Sequence, residues 1–175
     1  KNKFKLATLI ASCIIFEFLF LSSAKYPIPS FLTSIPNYYY ELAKENGDFA
    51  IIDLPAGNFM QRSRYFYFQT VHQKKLPYSF YLTGMPRPFE DNTFLHYLSD
   101  LFPRKNREDL FLKCTDILSL EQGLERLRSL KLKYIIIHNN LIKDKDKYIE
   151  IHQFLRQYLG KSLDYPDNIS VYKIY

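Results

Sequence analysis

The chain has no tryptophan, two cysteines, two methionines and five glycines in 175 residues. Cys13 and Cys114 are too few for a disulfide scaffold, and neither belongs to a C-x-x-C pair of the kind that holds structural zinc. No G-x-G-x-x-G and no P-loop is present, so the common phosphate cradles are missing. The nucleophile elbow G-x-S-x-G and the zinc helix H-E-x-x-H are missing too. No metal, no cofactor and no catalytic residue follows from any motif. A concentrated charge of one sign is also lacking. The net charge is +6, from 24 Lys and Arg against 18 Asp and Glu. Residues 1–25 carry four lysines against Glu17, a net +3, and the other 150 residues carry 20 basic and 17 acidic side chains, also +3. That dispersed excess is not the basic face that a nucleic-acid backbone requires.

What is present is apolar and aromatic. Hydrophobic residues make up 47% of the chain, with 15 Tyr and 15 Phe, which excludes a disordered composition and requires a packed core. Nineteen residues, Leu6 to Ala24, lie between Lys5 and Lys25 with Glu17 as their only charge. As a helix they extend roughly 28 Å, close to the thickness of a bilayer's hydrocarbon core. Lys1, Lys3 and Lys5 outnumber Lys25 on the other flank, so the positive-inside rule places the N-terminus in the cytoplasm and residues 26–175 outside the cell membrane. Three other readings suit the same segment: a cleaved signal peptide ending at Ser22-Ser23-Ala24, a lipoprotein box at Ile10-Ala11-Ser12-Cys13, and a buried helix. A carboxylate within a bilayer faces other helices and not lipid, so Glu17 and the absence of an initiator Met together suggest a piece of a longer protein.

The organisation expected is a membrane-type helix over 1–25, a Pro-rich linker over 26–33 and an extracytoplasmic α/β domain over 34–175. Ser34 caps a helix carrying Tyr39, Leu42 and Ala43, and Phe49 to Leu54 reads as a buried strand. Residues 56–64 read as a loop, and Tyr65 to His72 suits either a strand or a helix. Helical patterns follow over 92–102, 106–113, from Ser119 with Leu120, Leu124, Leu127 and Leu130 on one face, and over Tyr148–Leu159 with Ile149, His152, Leu155 and Leu159. Lys133 to His138 is a second buried strand. Pro166-Asp167-Asn168 turns the chain into a last, alternating strand, expected at an edge and open to antiparallel pairing. Strands separated by helices imply crossovers and a mostly parallel sheet of about four strands with flanking helices.

Candidate ligand residues lie at strand ends, since open parallel sheets bind ligands beyond the carboxyl ends of their strands. Asp53 and His138 are there, able to serve a hydroxylated ligand or proton transfer. Gln69 and His72 share a face if helical, and Arg64 and Arg87 flank this aromatic region, which suits a sugar or a phosphate. His152 reads as core.

The order of segments resembles the C-terminal extracytoplasmic portion of multi-spanning membrane glycosyltransferases of the C superfamily, which use polyprenyl-phosphate sugars. The likeness is carried by the apolar span, the Pro-rich link, Pro36 to Ala43, Ala50 to Pro55, Tyr67 to His72, Pro86-Arg87-Pro88, Tyr134 to His138 and Val171-Tyr172. Where that family has a Gly after the histidine, this chain has Gln73. The resemblance implies catalytic acids in loops of other membrane helices, outside this chain. It gives residues 26–175 a role in shaping the donor or acceptor site, with Gln69, His72 and Arg87 nearest the lipid-linked sugar or the glycan acceptor. The partners it implies are the bilayer through residues 6–24 and the remaining helices of the parent protein. Two alternatives stand beside it: a free-standing secreted or membrane-anchored sugar-binding or glycopolymer-binding module, and a small hydrolase using Asp53 and His138. The hydrolase requires those two side chains within about 3.2 Å of each other.

Overall fold

The computed structural model describes residues 12, 34–56, 59–77, 92–102 and 119–175. Contacts divide the chain into two compact units, Lys1–Ser34 and Ile35–Tyr175, and all the named elements belong to the second. Among the described residues no helix is long and apolar enough to cross a membrane. The segment Leu6 to Ala24 apart from Ser12, the linker, Arg87 and the helix expected over 106–113 lie outside them.

The first helix, α1 (Asn37–Lys44), starts without Ser34 as its cap. Pro36 occupies the cap position and supplies no side-chain bond, so the exposed N–H of Asn37 is taken instead by Asp167 Oδ2, 2.7 Å away and 130 residues along the chain. Strand β1 (Ala50–Leu54) is buried throughout, as its continuous apolar run requires. Helix α2 (Phe59–His72) takes in residues 59–64 of the expected loop together with the ambiguous segment. Tyr65, Phe68 and His72 recur three and four apart on its buried side, the helical period and not the alternation of a strand. Helix α3 (Thr93–Leu101) is capped by Asn92, and α4 (Leu120–Ser129) by a reciprocal capping box between Ser119 and Gln122. Strand β2 (Leu132–His138) follows. Helix α5 (Lys145–Leu159) is capped by Asp144 and ends at Gly160, whose φ of 80° closes the last turn. Its buried residues are Ile151, His152, Phe154 and Leu155, so the apolar face lies one step round from the expected one and Ile149 is exposed. Strands β3 (Leu163–Tyr165) and β4 (Ile169–Lys173) complete the sheet.

The described residues form an α/β fold with a four-stranded mixed sheet in the order β1-β2-β4-β3. The expectation of a mostly parallel sheet is corrected: only β1 and β2 are parallel, while β4 is antiparallel to both of its neighbours. The crossover logic is not at fault, because α5 returns the chain to β3 in the direction of β2. The hairpin at Pro166 to Asn168 then folds β4 back into the gap between β2 and β3, with Asn168 in the left-handed region at φ 59°. The last strand is therefore internal and not an edge, and four of its five residues are buried. The three-residue β3 takes the edge position.

Pairing sets Ile51 and Asp53 beside Tyr134, Ile136 and His138 on one face of the sheet, and Ile52, Leu54, Ile135, Ile137 and Tyr172 on the other. Helices α1 and α2 cover the first face, where the Tyr39 and Phe68 rings pack 4.7 Å apart. The other three helices cover the second, joined by contacts such as Phe94 with Phe154 at 5.1 Å.

Helices α3 and α4 approach closely at Gly123. A Cβ there would lie 2.9 Å from the backbone nitrogen of Phe94, while Asn92 Nδ2 donates to Gly123 O at 2.8 Å. Gly to Ala inside a helix normally gains about 1 kcal/mol. Here overpacking against backbone, typically ~1–3 kcal/mol, outweighs that gain. Gly123→Ala is expected to destabilise the domain by about 1 kcal/mol in chemical denaturation, against the sign that helix propensity gives.

Candidate functional site

Three elements deliver polar side chains to one buried point at the carboxyl ends of β1 and β2. Asp53 is the penultimate residue of β1 and His138 the last of β2, on the same face of the sheet. Tyr39 enters from α1. Its hydroxyl donates to Asp53 Oδ1 in a short hydrogen bond and lies 3.1 Å from His138 Nε2, which is itself 3.1 Å from Asp53 Oδ1. Because the carboxylate accepts from both neighbours, the His138 proton sits on Nε2. Tyr39 and Asp53 are wholly buried and His138 is 4% exposed.

Aromatic rings wall the group. The His138 ring lies nearly parallel to those of Tyr65, Phe68 and Tyr39, at 4.9, 6.1 and 6.4 Å between centroids. Tyr65 sends its hydroxyl away to Pro55 O at 2.6 Å, and burial holds that phenol well above its ordinary pKa. His72, from the last turn of α2, stacks on Tyr39 at 5.4 Å. Its Nδ1 accepts from the Lys74 backbone N–H at 2.9 Å. Loss of hydration lowers its pKa to about 4, opposed in part by the nearby Asp53 carboxylate.

The structure thus brings together three of the residues singled out in the sequence, Asp53, His138 and His72. Gln69 lies one turn back on α2 and donates from Nε2 to Lys74 O at 2.9 Å. Gln69 and His72 together clamp both backbone groups of Lys74, fixing the link that leads from α2 to β1's outer edge, where Ile51 N donates to Lys75 O. Gln73 makes this possible by adopting φ 55°, the left-handed conformation that a glycine takes most easily. Arg87 falls outside the described residues. Tyr39 is the member that sequence reading missed: its helical spacing identifies an inward position, but nothing local reveals that its hydroxyl meets a carboxylate 14 residues away.

A second polar network lies on the opposite face. His152 Nδ1 meets Tyr172 Oη at 2.6 Å and its Nε2 meets Asn139 Oδ1 at 3.0 Å. The Asn139 amide donates to Ser170 Oγ at 2.9 Å, which donates to Asp164 Oδ1 at 2.7 Å. Burial lowers the His152 pKa, with the Arg156 charge adding to it, and the Ser170 and Ser162 hydroxyls lower that of Asp164. His152 is core, as its place on α5 suggests, and each of its nitrogens has a protein partner.

Chemically, the first cluster can orient an imidazole and hold a phenol against a carboxylate. Among the described residues no Ser, Thr or Cys hydrogen-bonds to Asp53 or His138, and no group of three His, Cys, Asp or Glu is arranged to hold a metal ion. Fold and site define an α/β domain with a sealed acid, phenol and imidazole cluster at its strand ends. No protein family, no curated protein and no solved structure matches the chain.

Two outcomes follow. Tyr39→Phe removes the hydroxyl from a buried carboxylate and should cost about 1–3 kcal/mol in denaturant unfolding. The folded-state pKa of His72 is depressed, so the stability it contributes is present above the unfolded value near 6.5 and is lost as pH falls towards about 4. At ~1.4 kcal/mol per pH unit the total reaches about 3 kcal/mol. His72→Asn keeps an acceptor for Lys74, and its unfolding midpoint should fall less than the wild type's between pH 6.5 and 4.5.

Proposed function

We propose that residues 34–175 form a non-catalytic extracytoplasmic domain of a larger integral membrane protein, a glycosyltransferase drawing on a lipid-linked sugar, tethered through residues 6–24. The observation that carries the non-catalytic part of this reading is the closure of the polar cluster. Asp53 and His138 spend their facing atoms on each other and on Tyr39, they are buried, and no Ser, Thr or Cys among the described residues hydrogen-bonds to them. A base that turns over substrate needs a reachable proton to abstract. The segment order supports the rest of the reading, as does an apolar span flanked by three lysines on one side and one on the other. In this role the domain's packed helices present a fixed surface to the reaction chamber of the parent protein.

The 3.1 Å separation of Asp53 and His138 favours one other reading, a small hydrolase in which Asp53 orients His138. The two readings separate in one pair of measurements. On the leading reading, the complete reading frame containing this chain encodes further membrane spans, its product stays in the membrane fraction after alkaline extraction, and purified 34–175 hydrolyses no ester or glycoside. Turnover by purified 34–175 that is abolished in His138→Gln would replace that reading with the hydrolase.

A further inference from the structure

Two side-chain atoms at the cluster have no hydrogen-bond partner although their residues are buried: Oδ2 of Asp53 and Nε2 of His72, residues that are 0% and 1% exposed. Buried polar atoms nearly always have partners, so two on side chains that both meet Tyr39 require a physical account. Their chemistry is complementary. Lys74 N–H donates to Nδ1 of His72, so the neutral ring carries its proton on Nε2 and offers a donor. Asp53 already accepts on Oδ1 from Tyr39 and His138, which leaves Oδ2 as an acceptor. Both residues flank one side chain, since Tyr39 bonds Asp53 through its hydroxyl and stacks its ring on His72.

We propose that Asp53 Oδ2 and His72 Nε2–H together bind a hydroxyl oxygen, which donates its proton to the carboxylate and accepts from the imidazole. Three other kinds of group fail on chemistry. An ammonium group only donates and leaves the His72 proton unmet. A carboxylate or phosphate only accepts and meets the Asp53 charge. An apolar group satisfies neither atom. A hydroxyl does both at once, and it has two sources: an internal water, which suits a cluster closed to solvent, or an alcohol of a sugar or polyol, which reaches these atoms only when the cluster opens. The site is independent of the membrane reading, because it requires only α1, α2 and β1.

The test uses the full chain in detergent micelles with ¹⁵N-labelled histidine, following the His72 Hε2 proton by NMR. The expected result is a cross-peak from Hε2 to bound water in the wild type that is lost in Asp53→Asn. Titration with glycerol and with methyl α-mannopyranoside separates the sources. An alcohol that binds shifts the Hε2 resonance and abolishes the water cross-peak, whereas an internal water leaves both unchanged. If Asp53→Asn does not fold, His72→Asn carries the comparison, since it keeps the acceptor for Lys74 and removes the Nε2 donor. An oxygen in high-resolution crystallographic density between the two residues of the wild type should then be lost in that variant. The proposal is overturned if wild-type Hε2 gives neither a water cross-peak nor an alcohol-dependent shift. It is equally overturned if a crystal structure of the wild type holds no oxygen there, or if the bound oxygen persists unchanged in either variant.

Discussion

A carboxylate with no exposed surface governs the way one face of this sheet is built. Removing a carboxylate from water is tolerated only when donors replace the lost hydration, and Asp53 obtains them from a helix before it in the chain and from a strand 85 residues after it. Tyr39 must therefore reach over the end of β1, and β2 must run parallel beside it in the register that sets His138 one step past Leu54's partner. A shift of that register by one residue would turn His138 to the opposite face. The aromatic rings of α2 then close the group against solvent, so α1, α2, β1 and β2 share one packing problem.

The opposite face solves a similar problem by other means. There the buried imidazole of His152 has protein partners at both nitrogens, and the chain of bonds ends at Asp164, a residue on the edge strand where solvent still screens its charge. One network leads outward to a carboxylate near water, and the other encloses its carboxylate in the core. This difference separates a polar group that merely packs from one that asks for a partner, and it is why the Asp53 face and not the His152 face carries the candidate site.

Much of the architecture is legible in the sequence because it depends on local pattern. The run Phe49 to Leu54 and the run Lys133 to His138 are too apolar to be anything but buried strands, and Ser119 with Gln122 announces the start of α4. Several of the failures involve distant partners. Ser34 has the right chemistry for a cap, but Asp167 performs that task from the far end of the domain. The alternation of β4 suggests an edge because Ser170 and Lys173 are polar, yet Ser170 is buried with Asp164 and Asn139 as partners. Leu163 to Tyr165 is too short and too polar to be read as a strand before β4 is known to lie beside it. At the candidate site, Asp53, His72 and His138 stand out as polar residues ending apolar segments, whereas Tyr39 is concealed by the aromatic half of its own character.

The insertion of β4 between β2 and β3 has a consequence in time. Synthesis delivers β1, β2 and the helices first, and for that interval β2 has one bare edge of backbone donors and acceptors beside a core that lacks Ile169, Val171 and Tyr172. Only when the hairpin at Asn168 emerges can that edge be filled, and the same hairpin brings Asp167 to the first turn of α1. Strand β4 and the hairpin before it thus tie both ends of the described fold together, one by filling the edge of β2 and the other by meeting the first turn of α1.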